Sequence, residues 1–211
     1  MFNKIKRWLF KQFQDNFIIY FLVIIIFAIG IIIGSITIKI IGLEQKNDLI
    51  IFLSSFFKNI DGDKISNSLI LKQSITDNFK TVGLIWISGI IFIAVPLIPI
   101  IVLFRGFALG FTVGFLVNEY GMEGFLFSVL GILPQNLFII PGILSIASIS
   151  MAYSIKCIKM RKLRVKSINN VSKILDYTTL IVLLSIVIII GCLIEAYVSP
   201  MFLRLLTDYI N

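Results

Sequence analysis

Residues 95–117 read VPLIPIIVLFRGFALGFTVGFLV, an apolar run interrupted near its centre by a single arginine. Arg105 is read as a boundary: its long stem lets the guanidinium snorkel to the headgroups. A crossing over Val82–Phe104 then ends there, and a glycine-rich one over Gly106–Val117 begins. Each proline removes a backbone donor and crowds the carbonyl four residues earlier, so Pro96 and Pro99 predict a kink in the first of these crossings. Beyond the arginine, Gly106, Gly110 and Gly114 recur at every fourth residue. That spacing puts all three on one helix face and lets another backbone approach closely. Gly30 and Gly34 repeat the device. Such faces serve packing within one chain or between copies, so a homo-oligomer stays open.

Of the 211 residues, 58% are hydrophobic and 14% charged, with a mean hydropathy of +1.03. This is the balance of an integral membrane protein. A helix needs roughly 20 apolar residues to cross the hydrocarbon core, with every backbone donor and acceptor satisfied within the segment. Phe17–Ile38, Val82–Phe104 and Tyr177–Val198 meet that length plainly; Gly106–Val117 and Phe125–Ile155 are harder to count. The reading is an all-α, polytopic helical membrane protein of about five transmembrane helices, with a Pro-broken or re-entrant segment and a cytoplasmic N-terminus.

The formal net charge of +8 is concentrated in two places. Lys4, Lys6, Arg7 and Lys11 precede the first crossing, and Lys156, Lys159, Arg161, Lys162, Arg164, Lys166 and Lys173 fall close together. Both regions read as cytoplasmic by the positive-inside bias, which argues against nucleic acid as a partner. The basic run before the first crossing reads as the flank of an uncleaved anchor. A single membrane domain over 1–211 is expected. It has a cytoplasmic amphipathic segment over 1–16 that meets membrane lipids, an extracytoplasmic amphipathic segment over 43–80 and a basic cytoplasmic loop over 156–175. In the extracytoplasmic segment Leu53, Phe56, Phe57 and Ile60, and then Ile65, Leu69, Ile75 and Phe79, recur at helical spacing. Asp61-Gly62-Asp63 between them lacks the remaining oxygen ligands of a calcium loop and reads as a turn. Cys157 and Cys192 read as packing residues.

GILPQNLFIIPG, residues 131–142, places two prolines and an adjacent Gln-Asn pair in an otherwise apolar region. Pro134 reads as a break between a re-entrant piece over 124–133 and a span entering near the outer boundary, with Pro141 in its first turns. Gln135 and Asn136 can cap the exposed amides of such a helix start. Asn118 and Glu195 fall on the same side, so Asn118, Pro134, Gln135, Asn136, Pro141 and Glu195 form a candidate polar or partner site. Ionisable groups inside membrane segments are costly and therefore functional candidates, and Lys39 is in reach to clasp Glu195. The chain has no histidine, which removes Ser-His hydrolases and His-ligated zinc peptidases. It also lacks a phosphate-binding G-x-x-x-x-G-K-[ST] loop. No enzyme activity, catalytic residue, metal site or cofactor is expected.

RGFALGFTVGFLVN (105–118), ILPQNLFIIPGILSIASISMAYS (132–154) and IEAYVSP (194–200), in this order, resemble the stage II sporulation protein M family. More distant relatives show a Leu-Pro-His-Gly pattern with a following Glu-Leu-Pro-Ala. Here those places read Leu133-Pro134-Gln135-Asn136 and Phe138-Ile139-Ile140-Pro141-Gly142, without the histidine or the acid. The resemblance implies a multi-pass protein of the mother-cell membrane at the sporulation septum. It further implies a scaffold that helps localise two peptidoglycan-degrading partners, stage II sporulation proteins D and P, in septal thinning and engulfment. The alternative from the residues is a small-solute transporter or channel subunit using the broken-helix region.

Overall fold

The computed structural model describes residues 14, 16–42, 44–51, 66–91, 94–162 and 170–201, which are helical apart from short turns, with no strand among them. The long helices are α1 (Phe17–Thr37), α2 (Asn67–Ile91), α3 (Ala94–Phe127), α4 (Leu133–Lys162) and α5 (Asn170–Tyr197). A π turn over Ser128–Ile132 joins α3 to α4, and residues 44–51 form a further helical run.

Helices α1 and α3 pack backbone to backbone. A Cβ built on Gly110 would lie 2.1 Å from the Ile31 carbonyl oxygen, and one on Gly34 2.2 Å from that of Phe107. Gly30 abuts Leu103 and Gly106, while Gly114 abuts Ser35. The two backbones touch without intervening side chains, as in other membrane helix pairs with small residues at every fourth position. Phe27 meets Gly106, Ile31 meets Gly110 and Ser35 meets Gly114. The matched four-residue steps make α1 and α3 parallel, and Ser35 Oγ donates to the Gly110 carbonyl across the seam at 3.0 Å.

The other helices alternate in direction. At one end of α2 the indole N–H of Trp86 donates to Thr178 Oγ1 (3.2 Å) and the Tyr177 hydroxyl donates to the Trp86 carbonyl (3.1 Å). At its other end Ser74 bonds Glu195, so α2 and α5 are antiparallel. Gly142 packs on Ile188 and Gly191 on Ile139, which sets α4 antiparallel to α5 as well. Gly89 leaves room for the Tyr177 hydroxyl, where a Cβ would lie 2.2 Å from the oxygen. That hydroxyl also bonds Ser150 (2.8 Å), and the Tyr177 ring stacks on Tyr153 with centroids 4.4 Å apart. Lys156 and Lys173 mark this end of the bundle as its basic end.

Among the described residues, three helical stretches are long and apolar enough to cross a membrane: Phe17–Thr37, Val95–Met160 and Ser172–Met201. The middle one, of 66 residues, folds into the two arms α3 and α4. The distribution of polarity suits a lipid surround. On α2, Ser74, Asn78 and Ser88 are buried while Leu69, Leu84 and Ile91 are each more than half exposed. Apolar side chains facing outward and polar ones inward reverse the order found in water, since lipid tails solvate leucine but cannot bond an amide.

Several boundaries differ from expectation. Val82–Phe104 is not one kinked crossing: α2 ends at Ile91 and α3 restarts at Ala94. Pro96 would crowd the carbonyl four residues before it in a continuous helix, whereas in the first turn of a new one its missing N–H costs nothing. Only Pro99 is accommodated inside α3. Arg105 therefore lies within a helix and ends no crossing, and Gly106–Val117 is the second half of the same arm. Residues 67–80, expected as an extracytoplasmic surface segment, are the first half of α2.

The break expected at Pro134 falls instead at Gly121, whose φ of 57° and ψ of −126° suit only glycine. There the chain folds back so that Gly124 lies on the Leu116 carbonyl. Pro134 is the second residue of α4, and the preceding π turn, closed by Leu133 N–H to Ser128 O, takes up its clash. Of the basic loop expected over 156–175, residues 156–162 continue α4 and 170–175 begin α5. The amphipathic pattern over 1–13, the Leu53–Ile60 face, Ile65 and the Asp61–Asp63 turn lie outside the described residues.

The seam is directly testable. Gly110→Leu forces α1 from α3 and is expected to cost about 2 kcal/mol or more, as overpacking does. Ser35→Ala, which removes only the interhelical hydrogen bond, is expected to cost about 0.6 kcal/mol. Thermal unfolding in detergent would rank the two, and equal effects would contradict the close approach.

Candidate functional site

The seam fixes the depth of Arg105. Its neighbour Gly106 sits on the Phe27 carbonyl. Phe27 is equidistant from Phe17 and Thr37, about 15 Å from either end of α1 at 1.5 Å per residue. The guanidinium accordingly cannot snorkel along the short path expected for it, and it is solvated from α2 instead. One terminal nitrogen, Nη2, donates to Thr81 Oγ1 (2.7 Å), Asn78 Oδ1 (3.1 Å) and the Asp77 carbonyl (3.4 Å).

Asn78 is the hub of a polar chain. Its side-chain oxygen accepts from Arg105 while its amide donates to the Ser74 carbonyl (3.0 Å) and approaches Cys192 Sγ (3.6 Å). Ser74 Oγ in turn donates to a Glu195 carboxylate oxygen. Asn78 and Ser74 are almost fully buried, at 4% and 5% exposure, so each would be costly without these bonds. Arg105 and Glu195 thus stand at the two ends of one relay, Arg105–Asn78–Ser74–Glu195. Glu195 acts electrostatically on Arg105, yet no ion pair joins Arg105 to a carboxylate among the described residues.

These groups line an open cavity of about 700 Å³ walled by α2, α3 and α4, with Phe27 from α1 and Glu195 from α5. The polar wall is Gln73, Ser74, Asp77, Asn78, Arg105, Thr112, Gln135, Asn136 and Glu195. The apolar wall includes Phe27, Val102, Leu109, Ile139, Ile143 and Leu144. Gln73 donates to Asp77 (2.6 Å) and Lys80 pairs loosely with it (3.5 Å), so this carboxylate has partners of its own.

The cavity gathers three of the six candidate polar residues, Gln135, Asn136 and Glu195. Gln135 accepts the Ser199 hydroxyl, and Asn136 donates to the Ile132 carbonyl one turn back. Neither caps a free helix start, because the π turn runs into α4 without a break. Asn118 bonds its neighbour Glu119, which pairs with Lys46 (2.6 Å) away from the cavity. Pro134 and Pro141 are not in the wall either. Glu195 is held by Ser74 and not by Lys39, whose side chain is exposed.

Ser74, Asp77, Asn78 and Arg105 were not among the sequence candidates. The signal was present as a second stripe, Ser74, Asn78 and Thr81, at helical spacing beside the apolar one. It has meaning only if the apolar stripe faces lipid.

The family model for stage II sporulation protein M matches residues 23–200. The chain belongs to the stage II sporulation protein M family. Membership implies a role in sporulation, and it is not a known enzyme family. The match takes in α2 to α5 and α1 from residue 23 onward, with every residue of the polar relay. No curated protein and no solved structure matches the chain.

In this family member Asn78→Leu would leave Arg105 short of an acceptor and is expected to cost about 1–3 kcal/mol. Adding Arg105→Leu should recover part of that loss. A double-mutant cycle by unfolding in detergent is expected to give a coupling of about 1 kcal/mol, and strict additivity would contradict the contact.

Proposed function

We propose that the protein is a non-enzymatic membrane scaffold that helps localise and organise peptidoglycan-degrading partners, stage II sporulation proteins D and P, during septal thinning and forespore engulfment. The observation that carries this reading is the family match across residues 23–200. A bundle whose helices are locked backbone to backbone through Gly34, Gly106 and Gly110 suits a platform that presents fixed surfaces. On this reading the protein sits in the mother-cell membrane at the septum. Its basic end, with Lys156 and Lys173, faces the cytoplasm by the positive-inside bias. Five alternating helices then cross, and the end bearing Leu69, Gln135 and Glu195 lies toward the outer side, where the wall hydrolases work.

The second reading, a small-solute transporter or channel subunit, is favoured by one observation, the cavity with Arg105 and Glu195 in its wall beside a broken helix. One pair of experiments separates the two. Pull-down of the tagged protein from sporulating cells is expected to recover the two hydrolases, and proteoliposomes are expected to show no solute flux. Recovery of neither hydrolase, with a flux that Glu195→Gln removes, would sink the scaffold.

A further inference from the structure

We propose that the cavity between α2, α3 and α4 binds the zwitterionic headgroup of a membrane lipid, with its phosphate at Arg105 and its ammonium at Glu195. This goes beyond scaffolding and does not depend on it. Arg105 spends one nitrogen, Nη2, on neutral oxygens of α2. Its remaining donors have no hydrogen-bond partner among the described residues, and it lines the cavity. Glu195 is anchored through one oxygen by Ser74 and lines the same cavity. A cation and an anion held apart by Asn78 and Ser74, instead of closed on each other, leave two opposite charges in a low-dielectric wall, where isolated charge is costly.

The charge pattern selects the ligand. A simple anion would meet Arg105 but be repelled by Glu195 and Asp77, and a simple cation would meet the reverse. A neutral apolar molecule would leave both charges without solvation. A group carrying both signs satisfies them together, and the forked guanidinium suits a phosphate. The apolar wall of Phe27, Val102, Ile139, Ile143 and Leu144 lies beside the charges and can take an acyl chain. The volume of about 700 Å³ is in the range of small-molecule sites.

Native mass spectrometry of the intact protein in detergent, titrated with phosphatidylethanolamine or phosphatidylglycerol, tests the assignment. Phosphatidylethanolamine is expected to bind at least about tenfold more tightly, since the second lipid brings no ammonium to Glu195. Glu195→Gln should abolish that preference and Arg105→Gln should weaken both lipids. Ala108→Trp fills the cavity from its wall while keeping both charged residues, and should block binding at unchanged melting temperature. Equal binding of the two lipids, or full preference retained in Ala108→Trp, would overturn the site. Excess glycerophosphoethanolamine separates the sources: failure to displace the lipid supports a membrane ligand. Full displacement would overturn the lipid in favour of a free zwitterionic solute.

Discussion

The contact between the backbones of α1 and α3 governs the rest of the molecule. Two helices that meet through Gly30, Gly34, Gly106 and Gly110 have one register in which they fit, because a one-residue rotation brings isoleucine or phenylalanine into the seam. In membranes such a contact gains little from burying apolar area, as lipid tails are equally apolar. Its stability comes from close packing and weak polar contacts such as Ser35 to the Gly110 carbonyl. That register sets the level of every residue on α3, including the arginine next to Gly106.

From that level the polar architecture follows. A guanidinium about 15 Å from either end of α1 has to be solvated by protein. Asn78 and Thr81 on the antiparallel α2 do this with their side-chain oxygens. Asn78 then needs acceptors of its own, which brings in Ser74, and Ser74 brings in Glu195. Each member of the relay makes the next one tolerable, and the cavity is the space their side chains keep open. Sporulation supplies the biological setting through the family.

Much of the helical class was legible from the sequence, because lipid solvation demands long apolar runs and glycine spacing marks close packing. Phe17–Thr37 is legible almost to its boundaries, and the last helix at its C-terminal end, although it starts at Asn170 and not at the expected Tyr177. The middle departs from the sequence reading at Arg105, where a charge in an apolar run reads as an edge. The arginine is interior because acceptors on α2 solvate it, and those acceptors are remote in sequence. The same rule hid α2, whose Lys72, Asp77 and Lys80 made residues 67–80 look like a surface segment. Gln135, Asn136 and Glu195, which line the cavity, stood out in the sequence because they are polar against an apolar background. Ser74 and Asn78, lying among other polar residues, did not.

The mid-bundle position of Arg105 depends on the seam being formed within one chain in the parallel register. Its most direct measurement is a disulfide between Ser35→Cys and Gly114→Cys in a Cys157→Ser, Cys192→Ala background. A Cβ on Gly114 lies 3.4 Å from the Ser35 Cβ, close to the separation a disulfide spans. Oxidation in membranes should yield a reducible crosslink confined to the monomer, seen as protection of both thiols from alkylation without a dimer band. Crosslinked dimers, or thiols that stay free under oxidant, would contradict the register and with it the mid-bundle position of Arg105.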